Sequence, residues 1–162
     1  MHKAKRILCP TDFSRHSRYA LRRAAAMARA SGAELVLLHV VPQATLGGPN
    51  GDSYPLILPN WQQMLKLQEE RARAALERET RSKLLAGVKV RTALGAGSPY
   101  QEIVRIASRM HVDLIVISTH GTTGMFHLML GSVAERVVRL AHCPVLVIKP
   151  PRVRKVARVR VD

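Results

Sequence analysis

Short runs of consecutive apolar residues alternate along the chain with longer stretches in which apolar positions recur every three or four residues. The first pattern belongs to strands covered on both faces, the second to helices with one buried side. Their alternation, read as βαβαβαβαβ, predicts an α/β fold around a parallel sheet. Arg6 to Pro10 is the first strand. The helix after it begins near Ser14 and turns Tyr19, Leu21, Ala24, Ala25 and Ala28 inward, leaving Arg18, Arg22, Arg23 and Arg29 for water. It ends at Gly32, because glycine takes the left-handed C-terminal conformation without a steric penalty. Ala33 to Val41 is a nearly continuous apolar strand.

From Pro42 to Asn60, nineteen residues hold four prolines and three glycines, too many breakers for a regular element. A connection of that length predicts a functional lid or a mobile insertion. Asn60 with Gln63 reads as an N-cap and capping box for a helix traced by Trp61, Leu65, Gln68, Ala72 and Leu76 and running to about Leu85. Its other face pairs Glu69 with Arg73, Glu77 with Arg81 and Glu79 with Lys83 at i,i+4, which predicts a solvated outer surface. Val88 to Leu94 alternates as a half-exposed edge strand. Ser98, Pro99 and Gln101 supply a cap, an N1 proline and a capping box for a helix burying Ile103, Ile106, Ala107 and Met110. Asp113 opens a strand over Leu114 to Ser118. Ser132 caps a helix with Val133, Val137, Leu140 and Ala141 on one side, and Val145 to Ile148 is the last core strand.

Composition narrows the function classes. The chain has 162 residues with 47% apolar, a mean hydropathy of −0.01 and a pI near 11.2, which supports one domain with a real core. No apolar run approaches the about 20 residues that cross a bilayer, and the basic start Met1 to Arg6 leads into no secretory h-region, so membrane insertion is not expected and the expected compartment is the cytoplasm. Cys9 and Cys143 form neither a Cys-x-x-Cys pair nor a zinc cluster and read as buried thiols. The net charge of +15, from 26 Lys and Arg against 11 Asp and Glu, attracts polyanions of any kind: nucleic acid, nucleotides or an anionic surface.

The segment richest in chemistry runs from Ser118 through Thr119, His120, Gly121, Thr122, Thr123 and Gly124 to Gly131 and Ser132, between a buried strand and a helix. Glycines let the main chain approach an oxygen, and a helix N-terminus favours an anion. Spacing alone leaves two readings open, a phosphate cradle or a glycine-rich turn with a serine cap, because neither a Walker A loop nor a GxGxxG after the first strand is present. His120 is either a donor to a polyphosphate or a solvated loop residue. Asp12 is either a turn residue or a contact for a ribose hydroxyl or adenine amine.

This loop, together with Ile7-Leu8-Cys9-Pro10-Thr11-Asp12-Phe13-Ser14 and Cys143-Pro144-Val145-Leu146-Val147-Ile148, resembles the universal stress protein family over residues 5 to 149. Its nucleotide-binding members resemble Gly-x2-Gly-x9-Gly-Ser/Thr, and here Ser118, Gly121, Gly131 and Ser132 stand at those intervals, with serine in place of the first glycine. The resemblance implies a Rossmann-like, adenine nucleotide alpha hydrolase-like fold: an open five-stranded parallel sheet of order 3-2-1-4-5 with helices on both faces. It implies a single domain over 1–150, with 42–60 as its loop or lid; the basic tail over 151–162 lies beyond the match. It also implies ATP or AMP as ligand. Pro10, Thr11 and Asp12 would line the adenosine pocket and Val40 would meet the adenine. The main chain of Ser118, Thr119, His120 and Gly121 would lie near the ribose and phosphates, with Gly131, Ser132, Val133 and Ala134 around the phosphate tail. Mg2+ or Mn2+ would reach such a site only through the nucleotide phosphates, since the sequence offers no carboxylate cluster for it. A homodimer through Val145, Leu146, Val147 and Ile148 is a further implication.

Two functions follow as expectations. One is a stress-response sensor or regulator that binds ATP or AMP and hydrolyses ATP slowly if at all, for lack of a placed base or arginine finger, and that acts on a protein partner the sequence does not name. The other is a non-nucleotide stress protein whose basic surface docks nucleic acid or an acidic protein, for which Ser118 and the charge are the motives. The tail from Pro150 to Asp162 carries five basic residues and one acid, and reads as a flexible tail, an added edge strand or a nucleic-acid contact. Pro55 to Pro59 forms an apolar patch that would cover a nucleotide or grip a partner.

Overall fold

A computed structural model describes residues 4–43, 45–47, 53–55, 60–119 and 131–149. The expectations for His120, Gly121, the 151–162 tail, the Pro55 to Pro59 patch as a unit and most of 42–60 lie outside the described residues. The elements run β1 (Arg6–Pro10), α1 (Arg15–Ser31), β2 (Glu34–Pro42), β3 (Thr45–Gly47), β4 (Ser53–Pro55), α2 (Trp61–Thr80), a 3-10 turn (Lys83–Leu85), β5 (Val90–Gly97), α3 (Pro99–Arg109), β6 (Leu114–Ser118), α4 (Ser132–Leu140) and β7 (Val145–Ile148). Five strands form one parallel sheet in the order β5-β2-β1-β6-β7. Counted along the sheet alone, that is the 3-2-1-4-5 order the resemblance implies.

Strand alternation divides the core in two. Ile7, Cys9, Leu35, Leu37 and Val116 point to the layer of α1 and α2, where they meet Leu21, Ala24, Ala25, Ala28 and Leu76. Leu8, Val36, Leu38, Ile115 and Ile117 point the other way and meet Ile103 and Ile106 of α3 and Ala134 and Val137 of α4. The period of two explains why these strands are apolar throughout: each face has its own helices to cover it. Burying a Leu or Ile there stabilises by about 1.5–3 kcal/mol. The alanines of α1 let its axis approach the sheet closely.

The amino ends of the strands are tied by charge. The Asp113 carboxylate accepts from the Lys5 and Arg6 backbone N–H groups, each at 2.8 Å. The Arg6 guanidinium donates to Glu34 at 2.8 Å and to the Met110 carbonyl. That hydrogen bond, against a small burial penalty and helped by the charges of Arg6, Lys89 and Arg91, holds the Glu34 carboxyl below its usual value.

Gly32 ends α1 at φ +69° and donates to the Ala28 carbonyl, as its position predicts. Other capping expectations fail. Asn60 precedes α2 but sits at φ +64°, a left-handed conformation from which its side chain makes no cap bond. Ser98 also precedes its helix without a side-chain cap, and Gln101 is exposed. The residue at the N-cap of α4 is Gly131, and Ser132 is the first helical residue. A capping bond needs the extended backbone and a particular rotamer, which residue type does not specify.

Three further differences have local causes. The breaker-rich stretch contains a two-stranded hairpin, β3 with β4, whose Pro55 pairs at the end of the ladder with Thr45, where a missing N–H is tolerated. α2 stops at Thr80, and the 3-10 turn that follows brings Leu85 into the core. Gln68 is exposed, and Glu79 reaches Arg18 of α1 at 3.4 Å in place of Lys83. Cys9 is fully buried, and that burial pushes its thiol up to about 12, whereas Cys143 is only half-buried.

Candidate functional site

In an open parallel sheet a crevice forms beyond the carboxyl ends of the strands where the order reverses, here between β1 and β6. A cleft of about 410 Å³ lies at that point. The β1 end contributes Pro10, Thr11 and Asp12; β2 contributes Val40; β6 and its exit contribute Ser118 and Thr119; the start of α4 contributes Gly131, Ser132, Val133 and Ala134. The cleft thus gathers every described residue that the sequence singles out for this site. It also includes Ser17, Leu38, His39, Pro42, Pro99, Ile103 and Ile117, which sequence reasoning missed. Most of the latter arrive from packing between elements. Only His39, a polar residue inside an apolar strand, left a signal in the sequence.

The junction from β1 to α1 is held by its own hydrogen bonds. The Thr11 N–H donates to the Leu38 carbonyl at 2.7 Å, and its hydroxyl accepts from the Phe13 N–H at 3.0 Å and meets the Ser17 hydroxyl at 3.2 Å. Asp12 accepts from the Ser14 N–H at 3.0 Å, and Ser14 caps α1 by accepting from Ser17 N–H at 3.1 Å. Burial would raise the Asp12 carboxyl, but hydrogen bonds from the Ser14 and Ser17 side chains and from the Ser14 and Asp12 backbone outweigh it and hold the group below its ordinary value. Asp12 therefore stands ionised at the cleft wall. His39 donates Nδ1–H to the Thr11 carbonyl at 2.7 Å, which locks its ring and leaves Nε2 as the other ring position.

The junction from β6 to α4 is built differently. Thr119 donates its N–H to the Ile148 carbonyl at 3.1 Å and accepts from the Gly131 N–H at 2.7 Å, so the two ends of the connecting loop are pinned together. Gly131, with no side chain, serves as N-cap, and its carbonyl accepts from Glu135 N–H at 2.9 Å. Among the described residues no side chain caps this helix. The first N–H groups of a helix have no intrahelical acceptor, and here Ser132, Val133 and Ala134 present them beside the cleft. Val40, Ile103 and Ile117 form an apolar wall. Among the described residues no Lys or Arg lines the cleft, and no cluster of His, Cys, Asp or Glu has metal-binding geometry. The cleft can therefore take a flat apolar group against its wall, a hydroxyl or amine at Asp12 and an anion at α4.

No helix among the described residues is long and apolar enough to cross a membrane. The model of the universal stress protein family matches residues 3–149. Universal stress protein MJ0531 of Methanocaldococcus jannaschii is 37% identical over 148 residues, covering 91% of this chain and 84% of that protein. The solved structure of universal stress protein UspA from Lactobacillus plantarum superposes with a TM-score of 0.74 at 26% identity, covering 91% of this chain and 99% of that one. A universal stress protein from Archaeoglobus fulgidus, solved in complex with dAMP, shares the fold at a TM-score of 0.56 and 23% identity, covering 91% of this chain and 100% of that one. By sequence over nearly its whole length and by the topology of its sheet, the chain belongs to the universal stress protein family.

Proposed function

We propose that the cleft at the β1–β6 junction holds an adenine nucleotide, ATP or AMP, and that the protein is a cytoplasmic stress-response sensor or regulator whose choice of partner follows the bound nucleotide. The observation that carries this reading is the glycine-capped N-terminus of α4, where no side chain among the described residues makes a cap bond, beside an apolar cleft with the ionised Asp12 among its lining residues. The adenine packs against Val40 and the apolar wall, Asp12 accepts from a ribose hydroxyl or the adenine amine, and the phosphates lie on the N–H groups of Ser132, Val133 and Ala134. Thr119, with Pro10 and Thr11, shapes the middle of the site, and His120 and Gly121 complete the phosphate loop. Mg2+ or Mn2+ enters through the phosphates, because the described lining has one carboxylate, Asp12, and no ligand cluster. Among the described residues no Lys or Arg lines the cleft to stabilise a transition state, and on this reading hydrolysis is slow.

The experiment is gentle purification, acid extraction and mass identification of any co-purifying nucleotide, followed by calorimetric titration of ATP and AMP into the stripped protein. Stoichiometric adenine nucleotide supports the reading. A protein that arrives empty and ignores both ligands overturns it and marks Ser118 as the loss of the site.

An interface for a second copy of the chain accompanies this function. β7 is an edge strand, and Leu146 on it, with Val138 and Leu140 of α4, is an exposed large apolar residue. Pairing of Val145 to Ile148 across a two-fold axis would satisfy that edge. A monomer in light scattering at micromolar concentration removes this part of the reading.

One observation favours the basic-surface reading. α1 carries five arginines and no acid, and faces solvent with most of them. If the cleft proves empty of nucleotide, steep salt-dependent binding of DNA or RNA is the expected alternative, and no binding at low salt eliminates it.

A further inference from the structure

A second cleft, of about 540 Å³, opens on the other side of the sheet, between the β1–α1 junction and α2. Its composition differs from that of the first. Phe13 and His39 form an aromatic pair with ring centroids 4.5 Å apart, while α2 contributes Arg71 and Arg78 with Ala72 and Ala75 between them. Seven residues is nearly two helical turns, so the two arginines lie on one face of α2, about 10 Å apart along its axis. The intervening alanines leave that face low. Among the described residues no carboxylate lines the cleft, and neither Arg71 nor Arg78 has an ion pair.

Phe13 is held in place at a conformational cost. Its φ is +61°, a left-handed backbone that bulky residues rarely adopt, and its N–H is tied to the Thr11 hydroxyl at 3.0 Å. This conformation places the ring against His39 at the cleft, where His39 is itself fixed by its bond to the Thr11 carbonyl. A preformed aromatic wall and two guanidinium groups without partners make a site for a ligand that offers a ring to the first and a negative charge to the second.

We propose that this second cleft binds a planar aromatic anion, with the ring against Phe13 and His39 and the acidic group on Arg71 and Arg78. It is distinct from the nucleotide cleft and does not depend on it. His39 lines both cavities, so the two sites share one wall.

The test is titration of the full chain with anilinonaphthalene sulfonate, an aromatic anion with a flat naphthalene ring, whose fluorescence rises on transfer from water. Saturable binding is expected. The double variant Arg71→Ala/Arg78→Ala weakens it at least about tenfold, the scale of losing charge-assisted contacts. Ala75→Trp, which fills the groove without changing charge, removes it. Two exposed arginines elsewhere, changed as Arg91→Ala/Arg109→Ala, control for general attraction to a cationic protein and leave the affinity within about twofold. Gly131→Val alters only the first cleft and also leaves it. Equal affinity in the Arg71→Ala/Arg78→Ala and Arg91→Ala/Arg109→Ala proteins overturns the proposal, as does loss of dye binding in Gly131→Val, which would place the dye in the first cleft. Neither result bears on whether the first cleft takes ATP.

Discussion

Two strand-to-helix junctions border the same cleft, and they dispose of their polar groups in opposite ways. Where β1 meets α1, the side chains of Thr11, Asp12, Ser14 and Ser17 satisfy one another and the backbone, and Ser14 caps the helix. Where β6 meets α4, the N-cap is a glycine, no side chain among the described residues makes a cap bond, and Ser132, Val133 and Ala134 line the cleft with the first turn of the helix. The difference separates stability from binding. The first junction is a closed structure that orients Asp12 and His39; under the proposed function, a phosphate completes the second.

Breaking the second junction has the largest expected effect. Gly131→Val puts a branched side chain where an anion must approach the main chain, and ATP affinity falls at least about a hundredfold, or roughly 2.7 kcal/mol. Calorimetry reads the affinity, and the stability, measured alongside, falls by no more than about 1 kcal/mol, the scale of a poorer N-cap residue, since Gly131 takes a φ of −60° that any residue adopts.

Breaking the closed junction has the reverse signature. His39→Ala removes the donor to the buried Thr11 carbonyl and costs about 1–3 kcal/mol of stability in urea unfolding, with weaker binding in both clefts. The two serines sharpen the contrast further. Ser14→Ala removes a real cap and costs about 1 kcal/mol, whereas Ser132→Ala, at a position that caps nothing, stays within about 0.5 kcal/mol. Equal losses of stability for the two would contradict the assignment of Gly131 as the α4 cap.

The smallest effect is one of pH. The Asp12 carboxyl is held below its ordinary value of 3.8 in the folded protein, so the unfolded chain takes up its proton first as the pH falls. Its contribution to stability is complete above that value and is lost as pH drops through the folded one. The stability gap between the wild-type protein and Asp12→Asn, followed by thermal melts, is therefore widest near neutrality and closes below pH 3.8.

The two junctions were not equally legible in the sequence. Ser14 announces its helix, and its cap is present. Ser98 and Ser132 carry the same residue type without the bond: Ser98 has the extended backbone but its hydroxyl makes no cap bond, and Ser132 is already the first helical residue. Sheet order, both cores and the strand ends were readable, because period-two apolar runs and a resemblance over most of the chain both point to them. The hairpin of Thr45–Gly47 and Ser53–Pro55 was not, since three-residue strands among prolines and glycines carry no periodic signal. Pro99 and Ile103 were read as helix start and core. Their place in the cleft depends on how α3 packs across β2 and β5 and against α4, which no local pattern encodes.

The central claim is that α4 supplies the phosphate end of a nucleotide site. The most direct measurement is a calorimetric series of adenosine, AMP and ATP against the stripped wild-type and Gly131→Val proteins. Affinity is expected to rise with each added phosphate in the wild type, and this gain to disappear in the variant. Affinities that are equal across the series, or no binding of any of the three, would contradict it.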